Sequence, residues 1–507
     1  MPSDQHHHEI KISRKNHALT MKIMIAPNYS WPIKQKSIRN KVNLKMYFIL
    51  LRSFETKSNV FNDLIDILPK FKQLGINTLW VSPTQPQTPV GPPMFALNDH
   101  GYWPSHHGKI DLALGGEIAF EQLVRAARNY GIEIAIDAVI NHFGYANEIE
   151  LNGKKISTLD PNYFVVIHDI QSTYVRHREL NHLMENTWNV NELLRYREEL
   201  SQYPLFDLPT LRKDVDEIRA YLLESYKKFV DFGVTVFRID AAKHMPAEFL
   251  TYFANELNDY SLEHLNRPIK FIWEVYIVNS LALSTFIEGT LCKLKDSQHS
   301  FFYDFPMRYE FKRIQESDYR FEWLVNFVQH RIDTQQYLDH LIPFVEDHDD
   351  GTPIVNAPIA RIIYALTEFF SRNSTLIYHG SEQAGVRIVN RPCINTINEN
   401  GDLAFIVDRL GSRLLPYRIC KETQIIFHRA EHDLLVSENR IATKRSMFIA
   451  VNKSCLSKTI ELDYASSRYV EEILLTSTNS TIHFDKLSKH IKIELDAQSF
   501  LAFEIIL

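Results

Sequence analysis

Residues 236–244 read VFRIDAAKH, and this stretch decides how the rest of the chain is interpreted. Its apolar residues are typical of a buried strand, yet arginine stands at 238 and aspartate at 240. Alternate residues of a strand point to the same face, so Arg238 and Asp240 share one. Buried charges persist when they are paired or hydrogen-bonded. The stretch therefore predicts a buried strand whose end carries a polar site.

Eight apolar runs of this kind alternate with helix-like segments along the chain. They are MYFILL (46–51), INTLWVSP (76–83), IEIAIDAVINH (132–142), VTVFRID (234–240), IKFIWEVY (269–276), SFFYDFP (300–306), LIPFVEDHD (341–349) and STLIYHG (374–380). Runs that are apolar on both faces indicate parallel strands covered on both sides. Eight such units favour a closed (β/α)8 TIM barrel, with functional groups at the carboxyl ends of its strands.

Two interruptions of this alternation predict further domains. The segment after strand 3 is too long for a helix crossover and predicts an inserted subdomain. Near the end of the chain, short alternating runs predict a C-terminal antiparallel β-sandwich domain. The segment 386–431 shows no clear pattern. The expected organisation is a polar N-terminal extension (1–43), the barrel (44–142 and 207–431), the inserted subdomain (143–206) and the terminal all-β domain (432–507).

Composition limits the classes of partner. The chain has 507 residues and a net charge of −6, which argues against non-specific nucleic-acid binding. It contains no apolar run long enough to cross a membrane, and its N-terminus lacks the apolar centre of a secretory signal. We expect a monomeric cytoplasmic enzyme, with export by a route that reads no such signal left open. The four cysteines lack metal-ligand spacing and are expected to be reduced, buried thiols.

Three carboxylates stand at the ends of different predicted strands: Asp240, Glu274 and Asp349. In a barrel mouth they would converge and divide labour between a nucleophile, a protonated acid and a group that stabilises positive charge. Arg238, on the strand face of Asp240, is expected to keep that carboxylate ionised. The alternative is an ion pair that merely fills the barrel.

Several short motifs, in order along the chain, resemble those of the α-amylase family of glycoside hydrolases. They are HGYWP (100–104), DAVINH (137–142), LFDLP (205–209), FRIDAAKH (237–244), WEVY (273–276), FVEDHD (344–349) and IYHGSEQAG (377–385). The resemblance covers nearly the whole chain from residue 44. It implies a retaining enzyme that cleaves α-1,4-glucosidic bonds in starch, glycogen or maltodextrins through a covalent glucosyl–aspartate intermediate.

The resemblance also implies roles for individual residues. Asp240 would be the nucleophile, Glu274 the acid/base, and Asp349 the group that binds sugar hydroxyls and distorts the ring. Further residues would bind substrate, with Tyr102 stacking beneath the reacting sugar. This substrate-binding set is His100, Tyr102, His142, Arg238, Lys243, His244 and His348.

A structural Ca²⁺ is implied at the junction of barrel and inserted subdomain. Its ligands would be Asn141, Asp207 and the backbone carbonyl of His244, and hard oxygen ligands of this kind suit calcium. A metal-free salt bridge at the same junction is the alternative. No organic cofactor is expected.

The chain departs from the family pattern at Asp347, where asparagine is usual. The resulting acidic stretch, with Glu346, Asp349 and Asp350, predicts raised carboxyl pKa values and activity at lower pH. The motifs leave three alternatives open besides an endo-acting hydrolase: a 4-α-glucanotransferase, an exo-acting α-glucosidase, and an inactive relative that only binds glucan.

Overall fold

The structure is a computed structural model, and the described residues all belong to one unit of the chain, residues 35–507. Nearly all of the expected N-terminal extension lies outside them. The described residues are 42–54, 56–88, 100–165, 170–205, 208–334, 337–349, 354, 356–372, 374–381, 406, 410, 413–414, 423–441, 445–463, 469–476, 479–485 and 490–506.

Eight parallel strands form the central sheet, and each coincides with one of the runs predicted from sequence. They are β1 (Lys45–Ile49), β2 (Thr78–Val81), β3 (Glu133–Ala138), β6 (Val236–Ile239), β7 (Lys270–Trp273), β8 (Ser300–Tyr303), β9 (Leu341–Ile342) and β10 (Thr375–Tyr378). Their order is β10-β1-β2-β3-β6-β7-β8-β9. The strands follow one another around the sheet in chain order, as in a (β/α)8 barrel.

One buried cluster fills the space that these strands enclose. Every strand contributes to it, including β9 and β10, the two ends of the sheet order. The contributing strand residues are Met46, Phe48, Trp80, Ala135, Val236, Ile272, Phe301, Tyr303, Ile342, Leu376 and Tyr378. Because the end strands share one interior with the rest, the sheet is a nearly closed barrel. The predicted barrel is confirmed.

Helices cover the outside of the barrel, as expected for strands buried on both faces. Helix α1 shows how the sequence specifies them: Phe61, Leu64, Leu68 and Phe71 are buried on one stripe, and the Asn59 side chain caps its N-terminus. The covering helices are α1 (Val60–Gln73), α2 (Gly116–Asn129), α5 (Asp216–Asp231), α6 (Ala247–Leu265), α7 (Ser280–Leu291), α8 (Phe305–Arg313), α9 (Phe321–Asp333) and α10 (Ala357–Phe370).

An additional segment interrupts the alternation between β3 and α5. It holds a hairpin of β4 (Glu148–Leu151) and β5 (Lys154–Ser157), then α3 (Ile170–Asn186) and α4 (Val190–Leu200). The hairpin turns at Asn152-Gly153, whose φ values are both positive, as a two-residue type I′ turn requires. This segment lies where the inserted subdomain is expected, within residues 143–206.

The C-terminal part consists of two antiparallel sheets. One has the order β11-β12-β13-β18-β15 and the other β14-β17-β16. Their strands are β11 (Thr423–Ala430), β12 (Leu434–Ile441), β13 (Arg445–Asn452), β14 (Lys458–Asp463), β15 (Tyr469–Thr476), β16 (Thr481–Asp485), β17 (His490–Leu495) and β18 (Ser499–Ile506). The first strand begins at Thr423, ahead of the boundary expected at residue 432, because β11 pairs along its length with β12.

Alternation along β13 shows how this part is joined to the barrel. Phe448 and Ala450 pack into a core shared with β14 and β17, so the two sheets form a sandwich. Met447, Ile449 and Val451 point the other way and pack with residues of α8, α9 and α10. Strand β13 is therefore buried on both faces, and its second face attaches the sandwich to the barrel helices.

The structure bears on two expectations drawn from composition, the absence of membrane-spanning segments and the burial of the cysteine thiols. None of the helices in the described ranges is both long and apolar enough to cross a membrane. Cys292 and Cys455 carry free thiols but are exposed, so the expectation of buried thiols is wrong for this pair. Each stands outside the packed faces, Cys292 just past the end of α7 and Cys455 in the turn before β14. Cys393 and Cys420 lie outside the described residues.

Candidate active site

The polar residues of the opening stretch lie at the carboxyl end of β6. Arg238 is opposite Asp137 of β3, and Ile239 is opposite Trp273 of β7. Asp240 and Glu274 each follow the last residue of their strand. Parallel neighbours in this register end at the same edge, so the two carboxylates are brought together by the sheet itself.

A single guanidinium connects the carboxylates. The Arg238 Nη1 atom lies 2.6 Å from Asp137 Oδ1 and 2.7 Å from Asp240 Oδ1, and its Nη2 atom lies 2.9 Å from Glu274 Oε1. Arg238 is almost fully buried. Burial disfavours its charge, but the carboxylates around it raise its pKa well above the usual value. Arg238 is thus a permanent cation shared among three acids.

Asp137 is a member of this cluster that sequence reasoning placed at a strand end but did not assign to the site. Its second oxygen accepts hydrogen bonds from Tyr102 Oη at 2.7 Å and Trp80 Nε1 at 3.2 Å. Asp137 thereby holds both Arg238 and the ring of Tyr102. The signal for it was available, since Asp137 begins the DAVINH stretch and faces Arg238 on the neighbouring strand.

Glu274 is held on both of its oxygens. Oε2 accepts a hydrogen bond of 2.7 Å from the backbone N–H of Ala241, while Oε1 faces Arg238. Ala241 directly follows Asp240 and has φ 48° and ψ 35°, in the left-handed region. Burial raises the pKa of Glu274 to about 8; Arg238 opposes this, and Asp240 and Asp349 add to it. Burial also raises the pKa of Asp137, to about 7, so Glu274 is the more readily protonated of these two groups.

Asp349 completes the carboxylate group from the loop after β9. Its side chain is half-exposed, and Oδ1 lies 3.6 Å from His348 Nε2. Its backbone N–H donates to Asp347 Oδ1 at 3.2 Å. Asp347, the residue that departs from the family pattern, is buried with Arg308 Nη2 at 3.6 Å. The extra acid thus has a cation of its own and supports the Asp349 loop.

Aromatic and imidazole rings surround the carboxylates. Tyr102 and His348 stack with centroids 4.8 Å apart and an interplanar angle of 6°. The His142 Nε2 atom contacts the backbone oxygen of Tyr102 at 3.0 Å, and Tyr102 N–H donates to His100 Nδ1 at 2.9 Å. Burial lowers the pKa of His142, which favours the neutral ring. Within the described ranges, His142 Nδ1 is buried and has no hydrogen-bond partner.

Lys243 and His244 lie in the turn after Asp240, and the structure gives both of them protein partners. The Lys243 ammonium donates to Asn181 Oδ1 at 2.6 Å and to the Tyr276 carbonyl at 2.7 Å. His244 Nδ1 lies 3.3 Å from His177 Nε2, with the two rings stacked. Lys243 and His244 therefore hold the inserted segment against the site.

Helix α3 of the inserted segment is a second contributor that sequence reasoning missed. Besides His177 and Asn181, it supplies Glu185, whose carboxylate accepts from the backbone N–H groups of Val278 and Asn279. These two residues end the loop that begins at Glu274. A helix outside the barrel thus fixes the loop that carries the proposed acid/base, a link that no local pattern in the sequence indicates.

Asn141, one of the residues expected to bind calcium, is already bonded to a lysine. Both oxygens of Asn141 accept from the buried ammonium of Lys213, at 2.7 Å for the carbonyl and 3.2 Å for Oδ1. Asp207 lies outside the described residues. No group of three or more metal-binding side chains occurs within the described ranges.

Several known proteins are similar to this chain. A family model described as the alpha amylase catalytic domain matches residues 48–319, more than half of the chain. The cyclomaltodextrin glucanotransferase of Klebsiella oxytoca is 25% identical over 328 residues, which cover 64% of this chain and 46% of that protein. Alpha-amylase 3 of Dictyoglomus thermophilum is 28% identical over 209 residues, 40% of this chain and 37% of that protein. The chain thus spans less than half the length of these relatives.

Solved structures match over a larger share of the chain. A cyclomaltodextrin glucanotransferase with a three-domain ABC distribution has a TM-score of 0.71 at 18% identity, covering 92% of this chain and 100% of that one. An α-amylase of Anoxybacillus has a TM-score of 0.67 at 18% identity, covering 93% and 99%. At this identity the likeness shows a shared fold, a barrel with an inserted segment and terminal sheets.

Proposed function

Because the chain belongs to the α-amylase family, we propose that it is a retaining glycoside hydrolase that cleaves α-1,4-glucosidic bonds in starch, glycogen or maltodextrins. The observation that carries this proposal is the Arg238 cluster, in which Asp240 and Glu274 contact one guanidinium at 2.7 and 2.9 Å. Retaining glycosidases hold their two carboxyl groups about 5–5.5 Å apart, and inverting ones about 6.5–9.5 Å. Two carboxylates on one guanidinium favour the shorter separation.

In the first step, Asp240 attacks the anomeric carbon and forms a C–O bond to it. The glycosidic C–O bond breaks, and the departing oxygen takes the proton of Glu274. In the second step, Glu274 removes a proton from water, the water oxygen attacks the anomeric carbon, and the bond to Asp240 breaks. Asp240 and Glu274 then regain their starting states.

The charge distribution supports this division of labour. Arg238 contacts both groups, and one cation cannot balance Asp137, Asp240 and Glu274 if all three are ionised. Burial raises the pKa of Asp137 to about 7 and that of Glu274 to about 8, so of these two groups Glu274 holds a proton more readily. Two acids with separated proton affinities are the usual arrangement for acid catalysis beside an ionised nucleophile.

The surrounding rings and Asp349 are proposed to bind the reacting sugar. Tyr102 offers an aromatic edge beside Asp137, and His142 Nδ1 is a buried polar atom with no bonding partner in the described ranges. Asp349 is half-exposed in the loop after β9, and we propose that it accepts hydrogen bonds from sugar hydroxyls. Lys243 and His244, which contact Asn181 and His177 of the inserted segment, are also proposed to bind substrate.

A 4-α-glucanotransferase is the second candidate function. Several curated relatives of this chain are cyclomaltodextrin glucanotransferases, and the two reactions share one intermediate. They differ in whether water or a sugar hydroxyl attacks it. Incubation with maltoheptaose separates them, because a hydrolase releases shorter chains only, and a transferase also makes longer or cyclic ones. An exo-acting α-glucosidase would release glucose as its first product.

The catalytic assignment itself is tested by Asp240→Asn. We expect activity on maltoheptaose to fall by several orders of magnitude, because the amide cannot form the intermediate. Asp259→Asn is the matched control: Asp259 is on α6 and pairs with Lys295, so activity should be unchanged. A covalent adduct on the peptide carrying Asp240, trapped with a fluorinated glycosyl fluoride, would support the role directly. Undiminished activity of Asp240→Asn would refute the proposal, and inactive wild-type protein would favour a glucan-binding role.

A further inference from the structure

Lys213 is a buried lysine whose ammonium is surrounded by oxygen atoms at the base of the inserted segment. Nζ lies 2.7 Å from the Asn141 carbonyl, 3.2 Å from Asn141 Oδ1 and 2.7 Å from the Leu211 carbonyl. Lysine's ammonium has three N–H donors, and here three acceptors face them. The side chain is only 6% exposed, so no bulk water competes for these bonds.

Two further contacts involve the Lys213 ammonium and its backbone. The face of the Phe249 ring lies 6.0 Å from Nζ, within the range of a cation–π contact. Arg219 of α5 donates to the Lys213 carbonyl at 2.6 Å, which fixes the backbone from which the side chain extends. Burial lowers the pKa of Lys213 well below the usual lysine value. The three accepting oxygens oppose this shift, because they bond the charged form.

The ammonium joins two stretches that are far apart in the chain. Asn141 follows β3, and Leu211 follows the inserted segment. The backbone pairs there too, since Leu211 N–H donates to the Asn141 carbonyl at 3.0 Å. His142, the residue after Asn141, contacts the backbone oxygen of Tyr102, and the Tyr102 hydroxyl donates a hydrogen bond to Asp137. The junction therefore lies one residue from the rings that surround the carboxylates.

We propose that the Lys213 ammonium is the structural cation of this junction and that the protein folds and works without Ca²⁺. Calcium binds oxygen atoms at about 2.3–2.6 Å and needs six to eight of them. An ion at that distance from the Asn141 carbonyl and Oδ1 would occupy the position of Nζ, which already contacts both. Two cations in one buried place would also repel each other.

Lys213 is then a positioning residue for His142. Its loss would remove the ammonium donor from three buried oxygens, of which the Asn141 carbonyl keeps the N–H of Leu211, and would loosen the chain after β3. We expect both stability and substrate binding to suffer, whereas a lysine of purely structural importance would affect stability alone. Lys453 is a suitable comparison, because its ammonium also donates to backbone carbonyls, those of Glu316 and Tyr319, at the junction with the terminal sandwich.

The first experiment uses the wild-type protein. Metal content is measured after dialysis against EGTA, and the melting temperature Tm is measured in EGTA and in millimolar CaCl2. We expect no bound calcium and a difference in Tm below about 1 °C, because a ligand that does not bind the native state does not stabilise it. Stoichiometric calcium, or a Tm that falls in EGTA and is restored by CaCl2, would overturn the proposal. Neither readout depends on the enzymatic assignment.

The second experiment compares Lys213→Met with Lys453→Met. We expect Tm to fall by roughly 3–10 °C in both, since each leaves buried carbonyls unpaired. Only Lys213→Met should also raise KM for maltoheptaose, by about tenfold, because only it displaces His142. Equal Tm and KM values for Lys213→Met and wild type would refute the role of Lys213. If Lys213→Met does not fold, the calcium measurements on the wild type decide the matter.

Discussion

Replacing Glu274 by glutamine tests the proposed acid/base and the structure around it together. The pKa of about 8 means that Glu274 is mostly protonated at pH 7. A glutamate with an ordinary pKa near 4.3 would be protonated in only about 0.2% of molecules at that pH, so burial increases the active fraction by more than 100-fold. Activity that requires the proton is lost as pH rises through the pKa. We expect kcat/KM of the wild type to fall about tenfold from pH 7 to pH 9.

The Glu274→Gln variant should lack this alkaline limb. General acid–base catalysis contributes about 10²- to 10⁴-fold, so kcat/KM on maltoheptaose should fall by that factor. The loss should be smaller on an aryl maltoside whose phenol leaves without protonation. Both oxygens of Glu274 accept from N–H groups, of Arg238 and Ala241, so the amide must direct its NH2 at one of them. That mismatch should lower the stability by about 1–3 kcal/mol.

The assay is a pH–rate profile on both substrates, with melting curves of the same samples. Glu263→Gln is the control, because Glu263 is an exposed glutamate on α6. A wild-type alkaline limb centred below pH 6, or one that persists in Glu274→Gln, would refute the reasoning. The acidic stretch around Asp347 suggested activity at lower pH. The raised pKa of Glu274 moves the alkaline limb upward, and the pH–rate profile decides between these two expectations.

Three further substitutions test separate parts of the molecule. Arg238→Met leaves the carboxylates of Asp137, Asp240 and Glu274 without their cation. Unfolding experiments should show a loss of about 3–5 kcal/mol in stability, and activity should be abolished. A stability equal to that of the wild type would contradict the ion-pair geometry. Gly144→Ala would place a Cβ 2.2 Å from Thr88 Oγ1 and 2.6 Å from the Trp103 backbone oxygen. We therefore expect the stability to fall by about 1–3 kcal/mol and KM to rise. Unchanged stability and KM would contradict this, because they would mean that the loop moves to make room for the methyl group. Phe448→Ala removes a ring stacked on Phe503 in the sandwich core. Denaturant unfolding should show a loss of about 3–5 kcal/mol in stability, while KM at 25 °C stays constant. A change in KM would mean that the sandwich affects the active site.

The barrel could be predicted from sequence because its signals are local. Each strand is a short apolar run that ends in polar residues, and β6 carries Arg238 with Asp240 directly after its last residue. The hairpin of β4 and β5 is likewise marked by Asn152-Gly153. The strand β11 was not predicted, because TQIIFHRA mixes apolar and charged residues without the regular alternation of an exposed strand.

The site was only partly predictable, because its supporting contacts are long-range. Lys213 reaches Asn141 across 72 positions in the chain, and nothing near LRKD distinguishes this lysine from a surface one. Glu185 reaches Val278 and Asn279 across more than 90 positions. Such bonds depend on where the inserted segment packs. The positions of Asp240 and Glu274 were predictable because each directly follows its strand, and that of Asp349 because it lies in the loop after β9.

The left-handed turn at Ala241 has a consequence for how the two central carboxylates keep their distance. A non-glycine residue in this region costs of order 1–3 kcal/mol, and the surrounding fold must supply that energy. In return, the N–H of Ala241 is aimed at Glu274 from the residue next to Asp240. The spacing between Asp240 and Glu274 is thus set by the main chain at Ala241. Rotation of neighbouring side chains when substrate enters or leaves would not change this spacing.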